Sequence, residues 1–428
     1  MFTKKTIRDI DVQGKRVLLR ADYNVPVSKD GSITDDYRLQ KSVETLRELL
    51  KHNVRLTVCS HLGRPKGVPD KALSLAPVAR RLAKLLDRPV AFVEDCVGPA
   101  AEAASKKLKG GQVLLLENLR FHKEEEANDD AFAKQLARHG DVFVQDGFGV
   151  VHRAHASTDA ITRHLPSVAG LLLEREVDTI TNVMEAPERP FMAVIGGAKI
   201  ADKIDVLNRF IEIADFIAVA GAMSNTFLAA EGIHIGHSKY DADELAIARD
   251  VMARARKKAA HRRFTFYLPQ DGVVATSLDK TARTRVVDWD AHLFADAEHY
   301  PKRPPARDRT VGADELILDV GPFSGAFIAG AAQLARTVVW NGTLGVTEVP
   351  ALHGPVGPFA HGTELLIDAL VGDFGNRPFT LVGGGDTAGY VEQRQLIPAF
   401  NHVSTGGGAS LELMAGRKLP GVEALQNA

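Results

Sequence analysis

Short apolar runs that stop at Gly, Asn, Asp or Ser alternate along this chain with longer amphipathic stretches, and that rhythm constrains the fold most. In the first half the runs are Arg16–Ala21, Arg55–Ser60, Val90–Val93, Val113–Glu117 and Val142–Gln145. Helical patterns such as Arg38–Lys51 and Ala76–Leu86 separate them. In the second half they are Phe191–Ile195, Phe216–Ala220, Phe264–Leu268, Leu316–Val320, Thr337–Trp340 and Phe379–Val382. This alternation predicts parallel sheets with helices on both faces. Two such sets in 428 residues exceed one core, so the expected fold is α/β, with two doubly wound, Rossmann-like parallel-sheet domains. A helical stretch around Ser167–Glu185 ends at Pro187-Glu188-Arg189-Pro190, which suits a connecting helix and hinge. The expected boundaries are a domain over 1–170, a connecting helix over 171–189 and a domain over 190–410. The Pro-rich segment His299–Arg307 breaks the rhythm and reads as a surface loop.

Composition excludes several classes of partner. With a formal net charge of -1, the chain has no long-range attraction for nucleic acid or a membrane surface, so an anion site must be a local cluster. Cys59 and Cys96 are its two cysteines, without CxxC or zinc-ligand spacing, which fits a reducing compartment. The opening residues are polar and charged, and no apolar run nears the ~20 residues that span a bilayer. The protein is expected to be cytoplasmic, and a monomer.

Doubly wound sheets bind ligands beyond the carboxyl ends of their strands, so the residues after each run carry the chemistry. In the first half these stretches are Asp22-Tyr-Asn24, His61-Leu-Gly-Arg64, Asn118-Leu-Arg120 and Asp146 through His152-Arg153, with Arg38 after the Gly31 turn. Arg38, His61, Arg64, Arg120 and Arg153 would gather on one edge. Guanidinium forks match phosphate and carboxylate oxygens, so the implied ligand is a small polyanion. Any single arginine could instead pair with a local acid; convergence of several favours the ligand.

Glycine follows the strands of the second half: Gly196-Gly197-Ala-Lys199, Gly221, Asn341-Gly342, Gly383-Gly384-Gly385-Asp386-Thr387 and Gly406-Gly407-Gly408. Glycine lets the backbone approach a ligand, and exposed N–H groups favour anions. Five such turns, with Lys199 and Lys203 as point charges, point to a nucleotide polyphosphate. Asp386 can hold Mg²⁺, or cap the following helix. For Lys203 the alternative is a surface lysine one turn into a helix, the lesser of the two readings. The Walker GxxxxGK[ST] pattern, GxGxxG after the first strand and protein-kinase motifs are all absent.

These residues resemble the phosphoglycerate kinase family from about Arg16 to Leu425. The resemblance is carried by Asp22-Tyr-Asn-Val-Pro26, Ser60-His-Leu-Gly-Arg-Pro65, Leu116-Glu-Asn-Leu-Arg-Phe-His122 and His152-Arg-Ala-His-Ala-Ser157. It continues in Gly196-Gly-Ala-Lys199, Ala201-Asp-Lys203, Trp340-Asn-Gly342, Gly383-Gly-Gly-Asp-Thr387 and Ser404-Thr-Gly-Gly-Gly-Ala-Ser410. It implies that Asp22, Asn24, Arg38, His61, Arg64, Arg120 and Arg153 bind 3-phosphoglycerate. Gly197, Lys199, Lys203, Gly221, Asn341, Glu348, Gly384, Gly385, Asp386 and Thr387 would serve ATP or ADP with its Mg²⁺. Arg38, Lys199 and backbone donors at Gly407 would steady the transferring group, and the segment 411–428 would return to the first domain. Departures from the family pattern include Tyr23 for Phe, Gly147 for Ala, Thr343 for Pro, and a longer Val349–Pro358.

The implied reaction is direct in-line transfer between a carboxylate of 3-phosphoglycerate and ADP, with the domains closing to exclude water. Positioning and charge neutralisation suffice, without a covalent intermediate or general base. The rival readings are another acyl-phosphate kinase and a binding protein that has lost catalysis. Loss of Arg38, Lys199 or Asp386 would have favoured the latter, and all three are present.

Overall fold

The computed structural model describes residues 2–28, 31–289, 309–372 and 375–428; the Pro-rich segment 299–307 lies outside them. Fifteen strands appear among the described residues. In the first half they are β1 Arg16–Arg20, β2 Arg55–Cys59, β3 Val90–Val93, β4 Val113–Leu116, β5 Val142–Gln145 and β6 Ser167–Ala169. In the second half they are β7 Phe191–Ile195, β8 Phe216–Val219, β9 Thr265–Tyr267, β10 Asp271–Ala275, β11 Arg285–Asp288, β12 Leu316–Val320, β13 Thr337–Asn341, β14 Phe379–Gly383 and β15 His402–Val403. Two compact units result: Met1–Thr181 with Thr405–Leu413 and Arg417–Ala428, and Asn182–Ser404 with Met414–Gly416.

In the first unit β3-β4-β2-β1-β5-β6 form one parallel sheet. Side chains alternate across a strand, and the cores follow that period. Val17 and Leu19 of β1 join Val142 and Val144 of β5 in one apolar cluster, with Leu46 and Leu49 of the helix Tyr37–Lys51. Leu18 and Phe143, one residue out of phase, join Leu114, Phe132 and Ala101 on the opposite face. Both faces are therefore covered by helices, and the strand ends are left as the open edge.

The segment after Arg417 is stitched to the beginning of this unit. Lys4 Nζ donates to Glu423 O (2.8 Å), Leu425 O (3.2 Å) and Asn427 Oδ1 (2.9 Å). Lys5 N donates to Gln426 O, Gln426 N to Ser167 O, and Gly421 N to Val151 O.

In the second unit β15-β14-β13-β7-β8-β9 form a second parallel sheet. Leu316–Val320, which the sequence rhythm placed among the parallel strands, is instead β12 of a separate antiparallel sheet, β11-β10-β12. Its partners β10 and β11 carry no long apolar run, so periodicity passed over them. A second difference concerns Ser167–Glu185. The helix is Leu171–Glu185, and Ser167–Ala169 is the edge strand β6, cut off by Gly170. No described helix is long and apolar enough to cross a membrane.

Candidate active site

Each unit collects polar groups at the carboxyl edge of its parallel sheet. In the first unit the loop after β1 folds on itself: Asn24 N donates to Asp22 Oδ1 (3.1 Å), and Gly63 N, after β2, donates to Asn24 Oδ1 (2.9 Å). Arg38 Nη1 donates to Asp22 Oδ2 (3.0 Å) and to Asn24 O (3.1 Å). Arg120 Nη1 donates to Gly63 O (2.8 Å), while its Nε lies 3.3 Å from Glu126 Oε1. Arg153 Nε donates to His152 Nε2 (3.1 Å). The structure thus brings Asp22, Asn24, Arg38, His61 and Arg120 into one connected group. Arg64 is exposed at its rim and makes no hydrogen bond or ion pair among the described residues.

Burial sets the protonation of this edge. His61 is 3% exposed, and burial, then the charges of Arg20, Arg120 and Arg38, push its pKa well below the ordinary value. His155 falls to about 4, from burial and then Arg120 and Arg20. Both imidazoles are neutral at pH 7, so the guanidinium groups carry the positive charge.

Sequence reasoning missed Arg20, which is fully buried at the end of β1. Its Nε donates to Ser157 Oγ (2.8 Å), its Nη2 lies 3.2 Å from His61 Nδ1, and its Nη1 donates to Ala21 O. Ser157 in turn donates from Oγ and N to Glu125 (2.6 and 3.0 Å), a carboxylate with no exposure at all. The only sequence signal was an arginine closing an otherwise apolar strand. Tyr23 also has a reason: its hydroxyl pairs with Ser42 Oγ at 3.0 Å inside the core, where Phe would leave Ser42 one partner short.

The turn carrying Gly407 belongs to this unit, not with the other glycine turns. Thr405 N and Oγ1 both donate to the buried Glu176 Oε1 (2.6 and 2.7 Å). A Cβ on Gly408 would stand 3.2 Å from His152 Nε2. Gly407 opens the helix Gly407–Met414, whose first N–H groups lack helical partners.

In the second unit Lys203 reaches back under the Gly196-Gly197 turn. Its Nζ donates to Gly196 O, Asn341 O and Asn341 Oδ1. Burial lowers its pKa to about 8, against the opposing pull of Asp386 and Asp202. Gly197 has φ +127°, and a Cβ there would stand 3.1 Å from Lys203 Nζ, so the turn needs glycine twice over. Lys203 fixes the amide orientation of Asn341, because an ammonium can only donate to Oδ1. Asn341 Nδ2 is then a buried donor with no partner among the described residues, 3.1 Å from where a Gly383 Cβ would be. Gly342 N donates to Thr387 Oγ1 (2.7 Å), joining the β13 and β14 loops.

Lys199 is 55% exposed, with Nζ 3.6 Å from Asp241 Oδ2. Its loop is held by Glu244, whose carboxylate accepts from Ile200 N (2.8 Å) and Ala201 N (3.0 Å). Asp386 and Gly385 are exposed at the start of the helix Gly385–Gln393. The Asp386 carboxylate makes no hydrogen bond or ion pair among the described residues, so its hard oxygens are open to a cation such as Mg²⁺.

Gly197, Gly221, Glu348 and Asp386 line a single cleft of about 260 Å³. Leu316, Leu318, Val346 and Leu228 form its apolar wall, and Ser224 and Asn225 add polar groups. Sequence reasoning did not find these residues, because an apolar wall carries no motif. An apolar wall beside glycine turns and an exposed carboxylate is a concave surface able to hold a flat ring that carries a polar tail.

The phosphoglycerate kinase family model matches residues 7–417. The phosphoglycerate kinase of Chloroflexus aurantiacus is 45% identical over the whole of both chains, and that of Moorella thermoacetica 44% identical over 99% of each. The solved phosphoglycerate kinase of Coxiella burnetii aligns with a TM-score of 0.79 at 33% identity, covering 98% of each chain. That of Pyrococcus horikoshii aligns with a TM-score of 0.80 at 28% identity, over 99% of this chain and 98% of that one. The chain belongs to the phosphoglycerate kinase family.

Proposed function

We propose that this member performs the family's reaction, phosphoryl transfer between ATP and the carboxylate of 3-phosphoglycerate, with the acid held on the first unit and the nucleotide on the second. The observation that carries the nucleotide assignment is the buried, unpartnered Asn341 Nδ2 beside Lys203 at the glycine turns. A buried donor without an acceptor costs about 1–3 kcal/mol, and a phosphate oxygen would satisfy it. On the first unit, Asp22, Asn24, Arg38, His61, Arg64, Arg120 and Arg153 would hold the acid, the guanidinium groups meeting its phosphate and carboxylate oxygens. Asp386 would hold Mg²⁺, which when bound neutralises charge on the nucleotide's phosphates. Lys199 leaves Asp241 to meet the transferring group. The attacking carboxylate is already ionised near pH 7, so no general base is required.

A coupled assay with purified protein, ATP, Mg²⁺ and 3-phosphoglycerate tests the reaction. Product is expected only with Mg²⁺; equal turnover in excess EDTA would remove Asp386 from its role. Arg64→Ala and Arg153→Ala should each weaken 3-phosphoglycerate binding by roughly 1.5–3 kcal/mol and leave ATP binding unchanged. Calorimetry showing an equal loss for ATP would reverse the assignment of the two edges.

Lys203 supplies a test of the nucleotide edge that does not use turnover. Near pH 8 its free-enzyme pKa leaves it partly neutral. A polyphosphate favours the charged form and raises that pKa, so binding takes up a proton. The apparent binding enthalpy of ATP at pH 8 should therefore vary with the ionisation enthalpy of the buffer. Lys203→Met should remove most of that variation. Buffer-independent heats in the native protein would place Lys203 outside the site.

A further inference from the structure

We infer that the second unit carries a separate binding site for amphipathic organic anions, at the end of its parallel sheet opposite the nucleotide cleft. The helix Pro322–Leu334 has no charged residue in thirteen positions. A surface helix ordinarily turns polar residues outward. Here Ala326, Phe327, Gly330, Ala331 and Leu334 line an open cleft of about 1030 Å³, with Phe327 44% and Leu334 78% exposed. Phe191, Phe216 and Thr265, the first residues of β7, β8 and β9, form the floor and far side. Phe327 stacks on Tyr267 (centroids 4.6 Å apart) and meets Phe216 at 6.0 Å, which leaves its remaining surface to the cleft. A Cβ on Gly330 would meet nothing within 4 Å, so packing does not demand a glycine there, and its absent side chain keeps the cleft wide.

The charge around this floor selects the occupant. The one carboxylate in the lining, Asp215, is already shared by Arg189 (2.6 Å) and Arg262 (3.2 Å) and accepts from Phe191 N (2.8 Å). Arg263 also lines the cleft, is exposed, and makes no ion pair or hydrogen bond among the described residues. An apolar floor with one spare guanidinium at its rim complements a carboxylate or sulfonate on a hydrophobic body. A neutral hydrocarbon leaves Arg263 unused, and a polyanion lacks enough partners. Strands of four or five residues separate this cleft from the glycine turns, on the order of 15 Å, so the two sites can fill independently.

The probe is 8-anilinonaphthalene-1-sulfonate, titrated by fluorescence into the full-length protein with and without saturating ATP and Mg²⁺. One saturable site is expected, insensitive to ATP, displaced by decanoate but not by decanol. Arg263→Ala should weaken the probe at least fivefold, and Leu334→Glu at least tenfold, with turnover unchanged. Both side chains are exposed, so neither substitution threatens folding. Displacement of the probe by ATP, or indifference to both substitutions, overturns the inference. So does a concentration-dependent dimer in sedimentation that Leu334→Glu dissolves, since a second copy would then be the occupant.

Discussion

Replacing Lys199 by Ala should lower kcat by at least ~100-fold, the usual scale for one lost transition-state donor, while leaving thermal stability unchanged. The second half of that expectation follows from the ion pair with Asp241. At 3.6 Å and 55% exposure, such a pair contributes about 0–1 kcal/mol to folding. A lysine that matters greatly to turnover and hardly at all to stability is one kept for the reaction. Arg38→Ala should lower kcat on the same scale, and should also raise KM because Arg38 is tied to Asp22 and Asn24 at the edge proposed to hold the acid. The double substitution should lose much less than the product of the two, since both charges would serve one developing phosphoryl group. Retained turnover in Lys199→Ala would return Lys199 to the status of a surface lysine.

Arg20→Ala is expected to produce the largest loss of stability. It removes a fully buried cation that reaches the buried Glu125 through Ser157, leaving that carboxylate poorly compensated, a loss on the order of 3–5 kcal/mol. For a unit of this size that corresponds to a fall in Tm of roughly 6–20 °C. The loss should shrink in acid. Burial raises the pKa of Glu125, with Arg20 and Ser157 opposing, and removing Arg20 raises it further. The folded protein then binds a proton more readily than the unfolded chain does, and this favours folding below the raised pKa and fades as pH rises through it. Calorimetry at pH 5 and pH 8 measures the difference. A drop in Tm of under ~2 °C at pH 8 would mean that Glu125 does not depend on Arg20.

What the sequence could reveal follows from where each kind of residue sits. Parallel strands end at the functional edge, so His61, Arg64, Arg120 and the glycine turns stand directly after apolar runs and are readable there. Arg20 sits within such a run, and linear patterning treats it as a strand flank. Its role depends on Glu125 and Ser157, more than a hundred positions away. The apolar wall of the glycine-lined cleft was illegible for another reason: Leu316 and Leu318 look like core residues until the antiparallel sheet turns them toward the cleft. Gly407 was readable as a turn but not as a member of the first unit. That assignment rests on Thr405 finding Glu176 across 229 positions.

The hydrogen bonds between Lys4 and the backbone at Glu423 and Leu425 set an order of events during synthesis. Residues Met1–Thr181 leave the ribosome first, yet their unit stays unfinished until Gln426 and Asn427 arrive to pair with Lys5 and Lys4. At 5–20 residues per second that interval is roughly 12–50 s. The stretch Asn182–Ser404 needs almost nothing from elsewhere in the chain and can complete its sheet in the meantime. A released chain truncated before Arg417 should therefore hold its second unit resistant to protease while its first is still cut.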